Sequence, residues 1–168
     1  MEILKLPVDS WQEYRDLRLQ ALKEDPQAFG SSYQTNFEYP KEEWQRRLTN
    51  AAVGKINWLL FAREKDKLVG MIGAYMEDNS VDMATILSVY VSKKERGKGV
   101  SIKLMEGMLE ELSGKSFLKK AKLRVNRDQL PAVGLYKKFG FKEVGTEPHK
   151  MGDGKLVDVL VMERSLPF

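Results

Sequence analysis

Residues 87–104 read LSVYVSKKERGKGVSIKL, and three local signals meet in this stretch. Leu87 to Val91 closes a run from Val81 whose β-branched and aromatic residues suit a buried strand. Leu104, Met105, Met108, Leu109 and Leu112 recur at the spacing of one helix face, so a helix is predicted over residues 99–112. Between them lies Arg96-Gly97-Lys98-Gly99-Val100-Ser101. Glycine removes the side chain and permits positive φ, so a backbone rich in glycine can turn several N–H groups toward one anion. A helix opening on that loop adds unpaired N–H groups and a partial positive charge. Arg96 and Lys98 add formal charge. A strand, a basic glycine loop and a helix in this order predict a pyrophosphate site. Gly97 and Gly99 are too close together for a Walker loop, and no third glycine completes a dinucleotide fingerprint.

Working outward, Ile3 to Leu6 suggests a short strand ending at Pro7, and Asp9 or Ser10 is placed to cap a following helix. That helix carries Trp11, Tyr14, Leu17, Ala21 and Leu22 on one face and stops near Asp25-Pro26. Residues 26–39 read as an aromatic loop. Pro40 suits the first turn of a second helix, with Trp44 and Leu48 inward and Gly54 as the stop. Strands are predicted at 57–63, 68–76 and 81–91, with turns at 65–67 and 78–80. After the helix at 99–112 come a strand at 121–125, a short helix at 131–139 ended by Gly140, and strands at 141–144 and 156–162 turning at Asp153-Gly154. The class is α+β with a mixed sheet, and the βαβ unit makes strands 81–91 and 121–125 parallel.

A chain of 168 residues, 42% of them apolar, suits one domain with a real core. No apolar run approaches the roughly 20 residues that span a bilayer, and the first residues lack a signal-peptide pattern. A soluble, cytoplasmic protein is expected. The chain has no cysteine and one histidine, His149. Thiolate metal sites, cysteine nucleophiles and two-histidine metal sites are therefore excluded, and no metal is expected. The net charge of +4 fits a solvated surface or an anionic partner, either nucleic acid or a phosphorylated cofactor. The basic residues are dispersed among 24 acids and no nucleic-acid motif is present, which argues against nucleic acid.

The same residues resemble the GNAT superfamily of N-acetyltransferases. The superfamily's coenzyme A signature, Arg/Gln-x-x-Gly-x-Gly/Ala, falls on Arg96, Gly99 and Ser101, with serine at the third small position. A second stretch, Val125 to Phe141 (VNRDQLPAVGLYKKFGF), resembles the family pattern at Asn126, Ala132, Leu135-Tyr136 and Gly140-Phe141. The resemblance implies a mostly antiparallel seven-stranded sheet with flanking helices, splayed between its fourth and fifth strands. It implies acetyl-CoA as cofactor, with pantetheine along the backbone of Val89, Tyr90 and Val91. The amides of Arg96, Gly97, Lys98, Gly99, Val100 and Ser101 would hold the pyrophosphate, and Asn126 would bond the pantetheine. A bulge near Ser88 would aim one N–H at the thioester oxygen.

Acetyl transfer to an amine requires a deprotonated nucleophile, a donor to the developing oxyanion and a proton for the departing sulfur. By resemblance Tyr136 is the acid. Many relatives carry a glutamate on the fourth strand where this chain has Thr85, which cannot act as a base at neutral pH. Glu77 and Asp82 are the nearby substitutes, and solvent or an acceptor with a lowered amine pKa remains open. Without cysteine, direct attack in a ternary complex is the expected scheme. The acceptor, a small-molecule amine or a peptide N-terminus, is expected between the 26–39 loop, the second helix and the 145–155 loop. Phe29, Tyr33, Phe37 and Tyr39 would form an aromatic wall there, and Glu38 would pair with a cationic acceptor. A homodimer is the expected assembly. The second reading is a non-catalytic acyl-CoA-binding regulatory module.

Overall fold

The computed structural model describes residues 1–168. Strand β1 (Glu2–Leu4) leads into α1 (Trp11–Glu24), α2 (Tyr33–Phe37) and α3 (Lys41–Val53). Then come β2 (Asn57–Glu64), β3 (Lys67–Tyr75), β4 (Met83–Val91) and α4 (Val100–Ser113). The chain closes with β5 (Lys120–Asn126), α5 (Leu130–Lys138), β6 (Lys142–Lys150) and β7 (Leu156–Ser165). The seven strands form one sheet in the order β1-β2-β3-β4-β5-β7-β6. All neighbours are antiparallel except β4 and β5, which run parallel.

Side-chain alternation along the strands builds a core on each face. On β2, Leu60 and Ala62 join the core beneath α4 and α5, while Phe61 joins the one beneath α1 and α3. On β3, Ile72 and Met71 divide the same way. Helix α4 supplies Leu104, Met105, Met108, Leu109 and Leu112, all fully buried on one face. On the other side Tyr14 meets Trp44 edge-on at 5.1 Å and Phe61 at 5.4 Å. No helix is long and apolar enough to cross a membrane.

Several boundaries differ from the sequence reading. Helix α1 opens from a 3-10 turn at Val8–Ser10, and no side-chain bond caps it. Residues 26–39 are not all loop: a 3-10 turn covers Pro26–Ala28, and Ser32 caps α2 by accepting from the Thr35 amide at 3.1 Å. Pro40 sits at the cap of α3 rather than inside it. Strand β4 begins at Met83, not Val81. Strand β6 continues through Lys150, so most of the expected 145–155 loop is strand. Its residues are exposed and polar at the sheet edge, and Gly145 and Pro148 read as breakers in the sequence.

The feature that positions the site is the fork between β4 and β5. The two strands pair only from Met83↔Lys120 to Ile86↔Leu123, then separate. β5 goes on pairing with β7 as far as Asn126↔Val159. On its other edge β4 is bulged against β3. Gly73 faces Leu87 and Met71 faces Tyr90, which leaves Ser88 and Val89 opposite Ile72 alone. Ser88 takes φ 58°, a conformation costing a non-glycine residue ~1–3 kcal/mol and found mostly at functional sites. The bulge adds local twist and turns the end of β4 away from β5.

Candidate active site

The fork opens into a cleft of about 650 Å³. One wall is the free edge of β4 from Leu87 to Val91, and the other carries Asn126, Leu135 and Tyr136. Residues from the 27–31 segment and from the β6–β7 hairpin roof it, and Gly152 donates its amide to the Phe29 carbonyl at 2.5 Å.

At the mouth lies the glycine loop. Gly97 (φ 77°) and Gly99 (φ 81°) both adopt the left-handed conformation that glycine permits. A Cβ at either position would meet no atom within 4 Å, so the space before both is open. Gly99 caps α4 without any side-chain bond. The first backbone bond of the helix is from Lys103 N–H to the Gly99 carbonyl. The amides of residues 97–102 therefore donate to no backbone carbonyl and lie at the helix start, where the macrodipole favours an anion. Arg96 donates from Nε to the Val91 carbonyl at 2.9 Å and pairs with Asp25, which closes α1. Lys98 pairs with Glu95 at 3.0 Å.

The other predicted cofactor residues divide by face. Val89 is half-buried and Val91 buried, and both line the cleft. Tyr90 also contributes to the lining, but its ring packs in the core under α1 and its hydroxyl donates to Glu24 Oε2 at 2.8 Å. Burial and that bond push its phenol well up. Asn126 Oδ1 accepts from the Asp128 amide at 3.0 Å, which fixes the side chain at the strand end. Tyr136 is buried against Phe141 and lines the cleft. Burial alone pushes its phenol up, so it remains a proton donor throughout the neutral range.

The carboxylates do not supply a free base. Glu77 lies next to buried Thr85, whose hydroxyl donates to Glu77 Oε1 at 2.9 Å. The same oxygen meets Lys122 Nζ at 2.9 Å and Arg124 at 2.8 Å. Partial burial works to raise this carboxyl, but the bonds from Arg124, Lys122 and Thr85 outweigh it and hold it down at about 2. A carboxylate so stabilised is a weak proton acceptor at neutral pH, which argues against its expected role as base. Asp82 is exposed ahead of β4, outside the cleft, and its carbonyl accepts from Lys119 and Lys120.

The aromatic wall is also revised. Phe29 is buried, lines the cleft and carries the Arg18 guanidinium 4.8 Å above its ring. Tyr33 and Phe37 are exposed, stack on each other at 5.8 Å and lie outside the cleft. Glu38 bonds Gln34 on the same helix instead of facing the cleft. Sequence reasoning missed Arg18, Arg124 and His149, all of which line the cleft. For Arg18 a signal existed: it is a charged residue one turn from Tyr14, on the face of α1 that buries Leu17 and Ala21. No group of three His, Cys, Asp or Glu side chains is placed to hold a metal ion.

The model of the acetyltransferase (GNAT) family matches residues 12–141. The chain belongs to the GNAT family. Solved structures of GNAT proteins share its fold along nearly the whole chain. The GNAT acetyltransferase from Streptococcus pneumoniae aligns with TM-score 0.85 at 20% identity, over 98% of this chain and 99% of that one. PaiA N-acetyltransferase from Thermoplasma acidophilum, solved in complex with coenzyme A, aligns with TM-score 0.76 at 19% identity over 98% of both chains. YncA from Salmonella typhimurium, a putative acetyltransferase solved with its cofactor acetyl-CoA, aligns with TM-score 0.80 at 16% identity, over 99% of this chain and 94% of that one. No curated protein sequence matches. The GNAT fold is seen here in its open, mostly antiparallel seven-stranded form.

Proposed function

We propose that the chain is an acetyl-CoA-dependent N-acetyltransferase that acetylates a primary amine by direct attack in a ternary complex. The observation that carries this reading is the forked sheet with unpartnered amides at its mouth. The two open glycine positions accommodate a diphosphate, and the free β4 edge accommodates an amide-bearing arm as an added strand. PaiA and YncA, which share the fold, were solved with coenzyme A and acetyl-CoA. When bound, acetyl-CoA supplies the activated acetyl thioester.

The residues of the chain supply the rest. Residues 97–102 hold the phosphates through backbone amides, aided by the charge of Arg96 and Lys98. Val89 and Val91 orient the arm, and Asn126 offers its amide nitrogen from the opposite strand. The bulge at Ser88 presents backbone to the carbonyl. As the nitrogen–carbon bond forms and the carbon–sulfur bond breaks, the Tyr136 phenol gives its proton to sulfur. Tyr136 recovers a proton from the acylated nitrogen, and the first ammonium proton leaves to solvent. Holding both reactants in place contributes as much as roughly 7–11 kcal/mol of barrier reduction, which lessens the need for a strong base.

The test is a thiol-release assay with acetyl-CoA across a panel of amines, alongside calorimetry with coenzyme A. Saturable binding and amine-dependent thiol release support the reading. Binding without release on any amine favours the regulatory module, and no binding removes both.

A further inference from the structure

A second cavity of about 350 Å³ lies on the α1 side of β4. It adjoins the cleft: Arg18, Ser31, Tyr75, Leu87 and Ser88 line both. Its size suits a small molecule. Its lining includes three arginines, Arg18, Arg46 and Arg47, and no aspartate or glutamate. One carboxylate, Glu43, serves Arg46 and Arg47 together, at 2.8 Å each. Arg18 has no such partner. It is 7% exposed, donates to Ser88 Oγ at 3.1 Å and lies over Phe29. Burial, together with Arg47, holds its pKa below the ordinary value, and no carboxylate acts on it.

An arginine does not discharge near neutral pH, so Arg18 is a buried cation with one hydrogen bond from its five donors. Burying a charge without a counter-ion is costly, which makes this position one that an anion stabilises. The guanidinium fork suits a carboxylate or phosphate. One buried group on the lining, Asn36 Oδ1, is also without a partner.

We propose that this cavity seats an anionic group of the acceptor, so that the acetylated amine belongs to a small molecule bearing its own carboxylate or phosphate. Arg18 and Arg47 hold the anion, and the amine extends past Ser88 to the thioester. This rests on the transferase reading above and deepens it. It also bears on the missing base. A positive surrounding disfavours the ammonium form and lowers the amine pKa, which promotes the neutral nucleophile. A neutral or cationic acceptor would meet the same repulsion without the compensating anion.

The experiment uses the full chain with acetyl-CoA and matched acceptors: β-alanine against β-alaninamide, and O-phosphoethanolamine against ethanolamine. The anionic member of at least one pair should show kcat/KM about tenfold or more above its neutral partner. The pair that responds distinguishes carboxylate from phosphate. Arg18→Gln and Arg47→Gln should each erase most of that preference, and Arg47→Gln, which lies outside the cofactor cleft, should leave the affinity for coenzyme A unchanged. Arg47→Gln guards against misfolding from the buried site, because Glu43 keeps Arg46 as its partner. Turnover of the neutral amines at equal or higher kcat/KM overturns the proposal while the transferase reading stands. If no amine turns over, calorimetry with succinate and inorganic phosphate decides. Saturable binding lost in Arg18→Gln supports the site, and no binding of either overturns it.

Discussion

Glu77→Gln separates a structural carboxylate from a catalytic one. Glu77 ties the end of β3 to β5 through Lys122 and Arg124 and to β4 through Thr85. Its carboxyl falls from an ordinary 4.5 to about 2 in the folded protein. A drop of that size is worth about 3 kcal/mol of stability at neutral pH. The side chain is 31% exposed, so solvent screening reduces this to about 1–2 kcal/mol. Because the folded pKa is depressed, this stability is present above the unfolded pKa and is lost as pH falls from about 4.5 toward 2. Thermal unfolding followed by circular dichroism should place the variant about 2–8 °C below the parent at pH 7. The gap should narrow as the pH is lowered through that window. Activity should change little, with kcat/KM falling less than tenfold across pH 6–9. A fall of about 10²–10⁴-fold with an unchanged Tm would refute this account and restore Glu77 as the base.

Gly99→Val places a branched side chain at φ 81° in the open space before α4. Calorimetry should show coenzyme A affinity reduced at least about tenfold, with ~1–3 kcal/mol lost from folding in urea titration. Tyr136→Phe keeps the packed ring and removes the proton donor, so kcat should fall about 10²-fold with KM for acetyl-CoA little changed. In the parent, burial pushes this phenol up, so the alkaline fall in kcat should begin only above about pH 10 in a stopped-flow profile. Leu104→Ala opens a cavity under the sheet at a fully buried position, and urea unfolding should show a loss of about 2–5 kcal/mol.

What was legible in the chain was local. Gly97 and Gly99 declare their backbone geometry by being glycine, and α4 declares itself by a stripe of six buried apolar residues. The fork followed from residues 87–104 and 125–141 through the family resemblance. What was hidden depended on partners far along the chain. Glu77 meets Arg124, 47 residues away, and Arg18 meets Ser88, 70 residues away. Nothing near Glu77 announces such a contact, and the sequence around Arg18 shows only its place on the buried face of α1. The continuation of β6 from Gly145 to Lys150 escaped notice because an exposed edge strand has no buried face to impose alternation. The aromatic run misled because Tyr33 and Phe37 satisfy each other outside, while Phe29 turns into the cleft and Tyr39 packs on Trp44.

The roof over the cleft joins Phe29 to Gly152, two segments more than a hundred residues apart. A side chain at 152 would overlap the Ser31 carbonyl, so the seam closes only with glycine there. The phosphate loop lies outside this seam, on its own strand–helix unit. A duplicated copy of the chain could therefore drift at residues 26–31 and 149–155 and acquire a different clientele while its cofactor grip stayed constant.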